Sequence, residues 1–77
     1  MKTIDQLNTG DLAEITGFNG NAELQSRLVE MGINPGVLIR LVRKSIMGGP
    51  LQLKIREYYV SIRKNDAKDI RVSLYES

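Results

Sequence analysis

The fold is decided by one stretch, Leu28–Gly36, which reads LVEMGINPG. Gly32 follows the last residue of an apolar helical period, and glycine takes the left-handed conformation that ends a helix at little cost. With Met31 as the C-cap, Leu28 and Ile33 occupy the two positions whose apolar contact accompanies a Schellman motif. The sequence therefore predicts that a helix ends at Met31.

The second half of the stretch predicts a tight turn into a strand. In Asn34–Val37, Pro35 presets φ at the second turn position and Gly36 supplies the positive φ that a type II turn requires at the third. We therefore interpret Gly32, Pro35 and Gly36 as shape-setting residues and not as partner contacts, because each has a backbone role in capping or turning. The structural motif as a whole consists of Leu28, Met31, Gly32, Ile33, Pro35 and Gly36.

The stretch Leu28–Gly36 forms the joint between the predicted helix and the predicted strands. One helix and five short strands are predicted around this joint. The helix covers residues 22–31, with apolar residues at helical spacing and Asn21 as its N-cap. A single turn is expected at residues 3–6. The strands are predicted at residues 11–18, 37–45, 51–56, 59–63 and 70–74. Such short strands favour a small, partly open barrel because closure removes exposed edges, and we expect a single mainly β domain over residues 1–77.

Composition excludes several classes of function. The chain has 77 residues, no Cys and no His, with 11 Lys plus Arg against 9 Asp plus Glu. Catalysis by Ser-His or Cys-His pairs and ordinary zinc sites are excluded, and the scattered carboxylates predict neither a metal site nor catalytic residues. No phosphate-binding glycine motif is present, so we expect no cofactor. The sequence shows no membrane span or signal peptide, and the expected location is the cytoplasm.

Several fragments together resemble the FeoA family (ferrous iron transport protein A). The first is the pattern Arg27-Leu28-x-x-Met31-Gly32-Ile33-x-Pro35-Gly36-x-x-Ile39. The others are Gly48-Gly49-Pro50, and Ser61-Ile62-Arg63 followed by Ala67 and Ile70-x-Val72. The similarity covers the chain from about residue 4 to 74.

This resemblance implies a fold, a role and a partner. The implied fold is an SH3-like five-stranded barrel with one helix inserted between the first two strands. The implied role is that of a non-enzymatic cytosolic accessory protein of bacterial ferrous iron uptake, in a family linked to transition metal ions. The implied partner is FeoB, a large membrane protein with a cytosolic GTP-binding domain, which would place this chain near the membrane without insertion into it.

The candidate partner-binding surface combines a helix face with a loop. The helix residues are Gln25, Arg27 and Glu30. The loop residues are Ile46, Met47, Gly48, Gly49 and Pro50. Two interpretations of the apolar pair Ile46 and Met47 stay open: they fill the mouth of the barrel, or they form an exposed contact to which flexible Met is suited.

The alternative function is that of a nucleic-acid-binding SH3-like barrel, motivated by basic residues on the predicted strands. These are Arg40, Lys54, Arg56, Arg63 and Arg71. A solvated exterior is the favoured interpretation, and an acidic partner or inner-leaflet lipid headgroups are further interpretations. RNA-binding barrels interleave aromatics with basic residues, and here only Tyr58 and Tyr59 are available, so we expect no nucleic-acid partner. An arginine finger toward a GTP-binding partner would be Arg27 or Arg43, and the sequence favours neither.

Overall fold

A computed structural model describes residues 2–45 and 47–75 of the chain. The elements, in chain order, are β1 (Lys2–Thr3), a 3₁₀ turn (Ile4–Gln6), β2 (Leu12–Phe18), α1 (Ala22–Glu30), β3 (Leu38–Lys44), β4 (Leu51–Ile55), β5 (Tyr58–Ile62), α2 (Lys64–Ala67) and β6 (Ile70–Leu74). The strands form one antiparallel sheet in the order β1-β6-β2-β3-β4-β5. The predicted mainly β architecture is confirmed, with α1 between the first two predicted strands, β2 and β3.

The sixth strand lies in the lead-in, where the sequence predicts only a turn. Lys2 and Thr3 pair with Val72 and Arg71 of β6, and a two-residue strand is too short to produce an alternating pattern. The 3₁₀ turn follows directly, and the Gln6 side chain accepts a hydrogen bond of 3.1 Å from the Thr3 N–H.

Both ends of α1 have the caps that the sequence predicts. At the start, Asn21 Oδ1 accepts a hydrogen bond of 2.8 Å from the Leu24 N–H. At the end, Gly32 has φ 90° and donates to the Val29 carbonyl at 3.0 Å, while Ile33 donates to the Leu28 carbonyl at 2.9 Å. These two bonds are those of a Schellman motif, and they satisfy carbonyls that the helix itself leaves unpaired.

The turn after the helix is bonded directly to the sheet. Val37 donates to the Asn34 carbonyl at 3.1 Å, and Gly36 has φ 94°, as a type II turn requires. Gly36 also donates to the Ile15 carbonyl at 2.8 Å, and the Ile15 N–H donates to the Val37 carbonyl at 2.9 Å. The joint therefore fixes the position of α1 relative to β2.

A single apolar cluster fills the inside of the curved sheet. The alternation predicted for β4 is present, since Leu51, Leu53 and Ile55 are each at most 1% exposed. Leu24 and Leu28 of α1 join the same cluster. Burial of this helix face is necessary because a nine-residue helix is unstable alone in water.

The β4–β5 hairpin turns one residue earlier than the sequence predicts. The predicted turn is Glu57-Tyr58, but Ile55 pairs with Tyr58, so the turn consists of Arg56 and Glu57. Arg56 has φ 56°, a conformation that non-glycine residues rarely adopt, which is why no sequence signal marks it. Tyr58 thereby joins β5 and faces α1, while Tyr59 lies on the outer side opposite Lys54, because neighbouring strand residues face opposite sides.

Candidate partner-binding surface

The three predicted residues of α1 are all exposed, but they do not form one patch. At about 100° per helical residue, Gln25 and Arg27 lie about 160° apart around the axis, whereas Arg27 and Glu30 lie about 60° apart. Gln25 and Arg27 therefore flank the buried face of the helix on opposite sides. The structure brings Arg27 and Glu30 to one side and leaves Gln25 away from them.

Arg27 connects the two helices. Its Nη2 lies 2.9 Å from Asp66 Oδ2 of α2, and the two side chains are 50% and 22% exposed. This is the one ion pair within residues 2–45 and 47–75. A contact between residues 39 positions apart has no local sequence signal, and the sequence therefore did not identify Asp66.

A groove runs beside Arg27, between α1, the end of β5 and α2. It is lined by Arg27, Leu28, Met31, Ser61, Ile62, Arg63 and Asp66. A second depression is lined by Gly48, Gly49, Pro50, Arg63, Lys64 and Asn65. Arg63 lines both, so the groove and the glycine-proline loop form one continuous surface, which we call the groove–loop surface.

The described part of the loop presents an apolar side chain to solvent. Met47 is 92% exposed, which favours the interpretation of this residue as an exposed contact. Ile46 lies outside the described residues. A Cβ on Gly49 would lie 2.8 Å from Ser45 Oγ and 3.1 Å from Ser45 Cβ, so a side chain at this position would require the Ser45 side chain to shift.

The basic residues of the predicted strands differ in their availability. Arg40, Lys54, Arg56 and Arg63 are exposed, whereas Arg71 is only partly so. Arg71 lies over Gly17 and donates to the Phe18 carbonyl at 3.3 Å, and its Nε is buried without a hydrogen-bond partner among the described residues. Arg71 therefore packs against β2, and a partner would meet the other four.

The described residues contain no group of three or more acidic, His or Cys side chains arranged to hold a metal ion. No helix in this part of the chain is long and apolar enough to cross a membrane. The groove–loop surface carries charged and apolar groups of the kind that contact another protein. Arg63 and Lys64 supply charge beside the loop, and Met47 supplies a flexible apolar group suited to varied partner surfaces.

One curved antiparallel sheet around an apolar core, with a helix between β2 and β3, defines the class as a small SH3-like domain. Within that class, the family model described as the FeoA domain matches residues 2–74. The chain belongs to the FeoA family. The family is linked to ferrous iron transport.

A relative from Porphyromonas gingivalis shows this link in its covalent structure. It is an Fe(2+) transport protein A/Fe(2+) transporter FeoB fusion protein, 35% identical to this chain over 74 residues. The alignment covers 96% of this chain and 9% of the fusion protein. The matched segment is thus a small part of a polypeptide that also contains a transporter.

Two solved structures have the same fold. The FeoA-like protein from Clostridium acetobutylicum has a TM-score of 0.85 and 28% identity, over 97% of this chain and 87% of that one. The zinc complex of Stenotrophomonas maltophilia FeoA, described as a procaryotic SH3 domain protein, has a TM-score of 0.81 and 25% identity. That comparison covers 95% of this chain and 91% of the other.

Proposed function

We propose that this chain is a non-enzymatic accessory protein of ferrous iron uptake that binds the cytosolic part of FeoB and supports or regulates transport. Residues 1–77 act as one domain in this role, in the cytoplasm and close to the membrane through the partner. The observation that carries the proposal is the Porphyromonas gingivalis fusion, in which a 35% identical segment and FeoB share one polypeptide.

The fusion supports a functional contact between the two domains, because a covalent link raises their effective concentration. Two domains on one polypeptide meet at an effective concentration in the millimolar range when a short linker joins them. A weak contact is then occupied most of the time. When the two domains are separate chains, the contact itself must supply the binding affinity. That affinity requires a surface with apolar and charged groups.

The groove–loop surface is the site we propose for this contact. Its centre is Arg63, which lines both the groove beside Arg27 and the depression at the loop, and the loop also carries Met47, which is 92% exposed. Interface contacts concentrate in a few residues, and Arg and Met are enriched among interface residues. Gln25, on the other flank of α1, is outside the proposed contact.

Calorimetric titration with the soluble cytosolic region of FeoB tests the proposal. We expect binding that weakens roughly tenfold in Met47→Ser and in Arg63→Ala, the size of a moderate interface contribution. Gln25→Ala is the matched control and should bind as the unaltered chain does. Absence of binding to both the soluble region and the full-length transporter would refute the proposal, and equal losses in all three variants would refute the choice of surface.

Regulation through GTP hydrolysis has a separate readout. A stimulating arginine must reach the nucleotide site of the partner. Arg27 is held by Asp66, whereas Arg43 is exposed and has no carboxylate within 4 Å among the described residues. If this chain accelerates hydrolysis by FeoB, Arg43→Ala should abolish most of the acceleration while leaving the calorimetric affinity in place.

A further inference from the structure

The outer side of the sheet carries a cross-strand row that the proposed contact with FeoB does not use. Leu12 of β2 lies opposite Arg40 of β3, and Arg40 lies opposite Lys54 of β4. Lys54 in turn lies opposite Tyr59 of β5. At the other end, Tyr75 donates from its N–H to the Leu12 carbonyl at 2.9 Å, and so continues the row by one residue.

Further cations adjoin this row on the same side. Arg43 lies opposite Gln52, two residues along β4 from Lys54. Arg56 follows Ile55 in the hairpin turn and lines a shallow concavity together with Arg40 and Lys54. The outer face also carries Leu38, which is 38% exposed. We call this set the basic sheet face: Leu12, Leu38, Arg40, Arg43, Lys54, Arg56, Tyr59 and Tyr75.

The basic sheet face concentrates cations. Four of the chain's Lys and Arg side chains lie on it, with the exposed carboxylates Glu14, opposite Leu38, and Glu57, beside Arg56 in the turn. Among the described residues no carboxylate lies within 4 Å of any of these four cations. The four cations are thus grouped here without ion pairs, and the complement of the row is an anionic surface.

Local contacts hold the row in place. Lys54 Nζ lies 5.8 Å from the centroid of the Tyr59 ring, within the range of a cation–π interaction. Arg40 Nη1 donates to the Gly10 carbonyl at 2.7 Å. Tyr59 and Tyr75 remain 54% and 47% exposed, so the aromatic groups stand at the two ends of the row and the charges lie between them.

The geometry points to an anionic membrane surface as the occupant, and we propose that the basic sheet face rests on anionic lipid headgroups. Tyrosines are favoured at the headgroup level, and Lys and Arg side chains lie along apolar surface with their charges at the interface. Each basic residue near an anionic leaflet contributes a factor of roughly five in binding. Single-stranded nucleic acid fits less well, because the two tyrosines are four strand spacings apart, about 19 Å along the curved sheet, and the residue between the cations and Tyr75 is the aliphatic Leu12, which offers no ring for a base to stack on.

Binding to headgroups is independent of the transporter. Arg63 and Met47 of the groove–loop surface are not members of the basic sheet face, so one chain can contact the bilayer and FeoB with different residues. Arg43, the candidate for stimulating GTP hydrolysis, is the one member of the basic sheet face with a second assigned role, and the variants that test lipid binding leave it in place. A chain lying on the bilayer would search for its partner in two dimensions. The inference therefore goes beyond the proposed function and stands or fails separately.

Vesicle sedimentation with the full chain tests the inference. We expect the chain to sediment with vesicles rich in phosphatidylglycerol and to stay in solution with pure phosphatidylcholine. The variant Lys54→Gln/Arg56→Gln should partition roughly 30-fold less, because two cations are lost. Lys64→Gln/Lys68→Gln removes the same charge from exposed positions around α2 and should retain most of the binding.

A fluorescence experiment locates the contact without removing charge. The chain has no Trp, so Tyr59→Trp introduces a single reporter on the basic sheet face. Its emission should shift to the blue with anionic vesicles and return when salt screens the attraction. Val29→Trp, at a 40% exposed position on α1, is the matched control and should not shift.

Three outcomes would overturn the inference. The first is equal binding to anionic and neutral vesicles, or none to either. The second is an equal loss in the two charge variants, which would indicate attraction by net charge alone. The third is salt-sensitive binding of a single-stranded oligonucleotide through Lys54 and Arg56 without vesicle binding. None of these results involves FeoB, so the proposed function would be unaffected.

Discussion

Replacing Gly32 by Ala tests how the joint between α1 and the sheet is held. Gly32 has φ 90°, and a left-handed conformation costs a non-glycine residue about 1–2 kcal/mol. A Cβ at this position would also collide with the Tyr58 hydroxyl, which donates to the Met31 carbonyl at 3.2 Å. Tyr58 is 43% exposed and can swing aside, so the steric cost is limited to about the value of that hydrogen bond, 0.5–1.5 kcal/mol.

The expected loss for Gly32→Ala is therefore about 1.5–3.5 kcal/mol in the free energy of unfolding. A domain of 77 residues has a total of roughly 4–12 kcal/mol, so the variant should still fold. Tyr58→Phe removes only the hydroxyl and should cost about 0.5–1.5 kcal/mol. The ring carbon that carries the hydroxyl would lie 3.5 Å from the new Cβ, which is an ordinary contact.

The double variant separates the two contributions. Because the Tyr58 hydrogen bond is lost in either single variant, Gly32→Ala/Tyr58→Phe should be about as stable as Gly32→Ala alone, with a coupling of about 0.5–1.5 kcal/mol. Gly36→Ala is the matched control, since Gly36 has φ 94° and no described heavy atom lies within 4 Å of the position that a Cβ would take. Urea unfolding measures the free energy of unfolding of these four variants. Two results together would refute this explanation of the joint. The stability losses of the two single variants would add up in the double variant, and Gly32→Ala would cost as much as Gly36→Ala.

Three further predictions concern local contacts and are measured by the same urea unfolding. Asn21→Ala removes the cap on α1 and should cost about 1 kcal/mol, and Asn21→Asp, which keeps the acceptor, should cost much less. Arg56→Gly relieves the positive φ and should gain about 0.5–1 kcal/mol, so a loss would contradict the assigned turn. Arg27→Ala and Asp66→Ala should each cost under about 1 kcal/mol, with a coupling near 0.5 kcal/mol, because the pair is exposed.

Much of the fold could be predicted because its signals are local. The caps of α1 depend on residues within a few positions of each helix end, and Asn21 and Gly32 each act through backbone groups nearby in sequence. The alternation of Leu51, Leu53 and Ile55 follows from the two-residue period of a strand. Local chemistry of this kind is visible in a single sequence.

The features that the sequence did not predict depend on long-range contacts or oppose local preference. Strand β1 forms because Lys2 and Thr3 pair with β6, which lies near the other end of the chain. The hairpin turn places Arg56 at φ 56°, against its preference, and pairing of the flanking strands overrides it. That one-residue change places Tyr59 opposite Lys54 instead of Arg56, and so determines the cross-strand row of the basic sheet face.

The candidate surface could be predicted only in part for the same reason. Composition identifies the loop, since two glycines before a proline cannot continue a strand. The helix candidates are the polar residues that do not lie on the apolar face of the helix. This criterion does not distinguish the flank that carries Gln25 from the flank that carries Arg27. Only the ion pair between Arg27 of α1 and Asp66 of α2 makes that distinction.

The stretch that sets the shape and the proposed contact surface meet at Leu28 and Met31, which belong to the stretch and also line the groove. The stretch Leu28–Gly36 is bonded to β2 through Gly36 and to β5 through the Met31 carbonyl. Strand β5 also forms one wall of the groove that Arg27 and Arg63 line. A change at Gly32 would therefore alter the groove by breaking the hydrogen bond between Tyr58 and the Met31 carbonyl, although Gly32 does not line the groove. We accordingly expect substitutions in the joint to weaken partner binding and stability together, and Met47→Ser or Arg63→Ala to weaken binding alone.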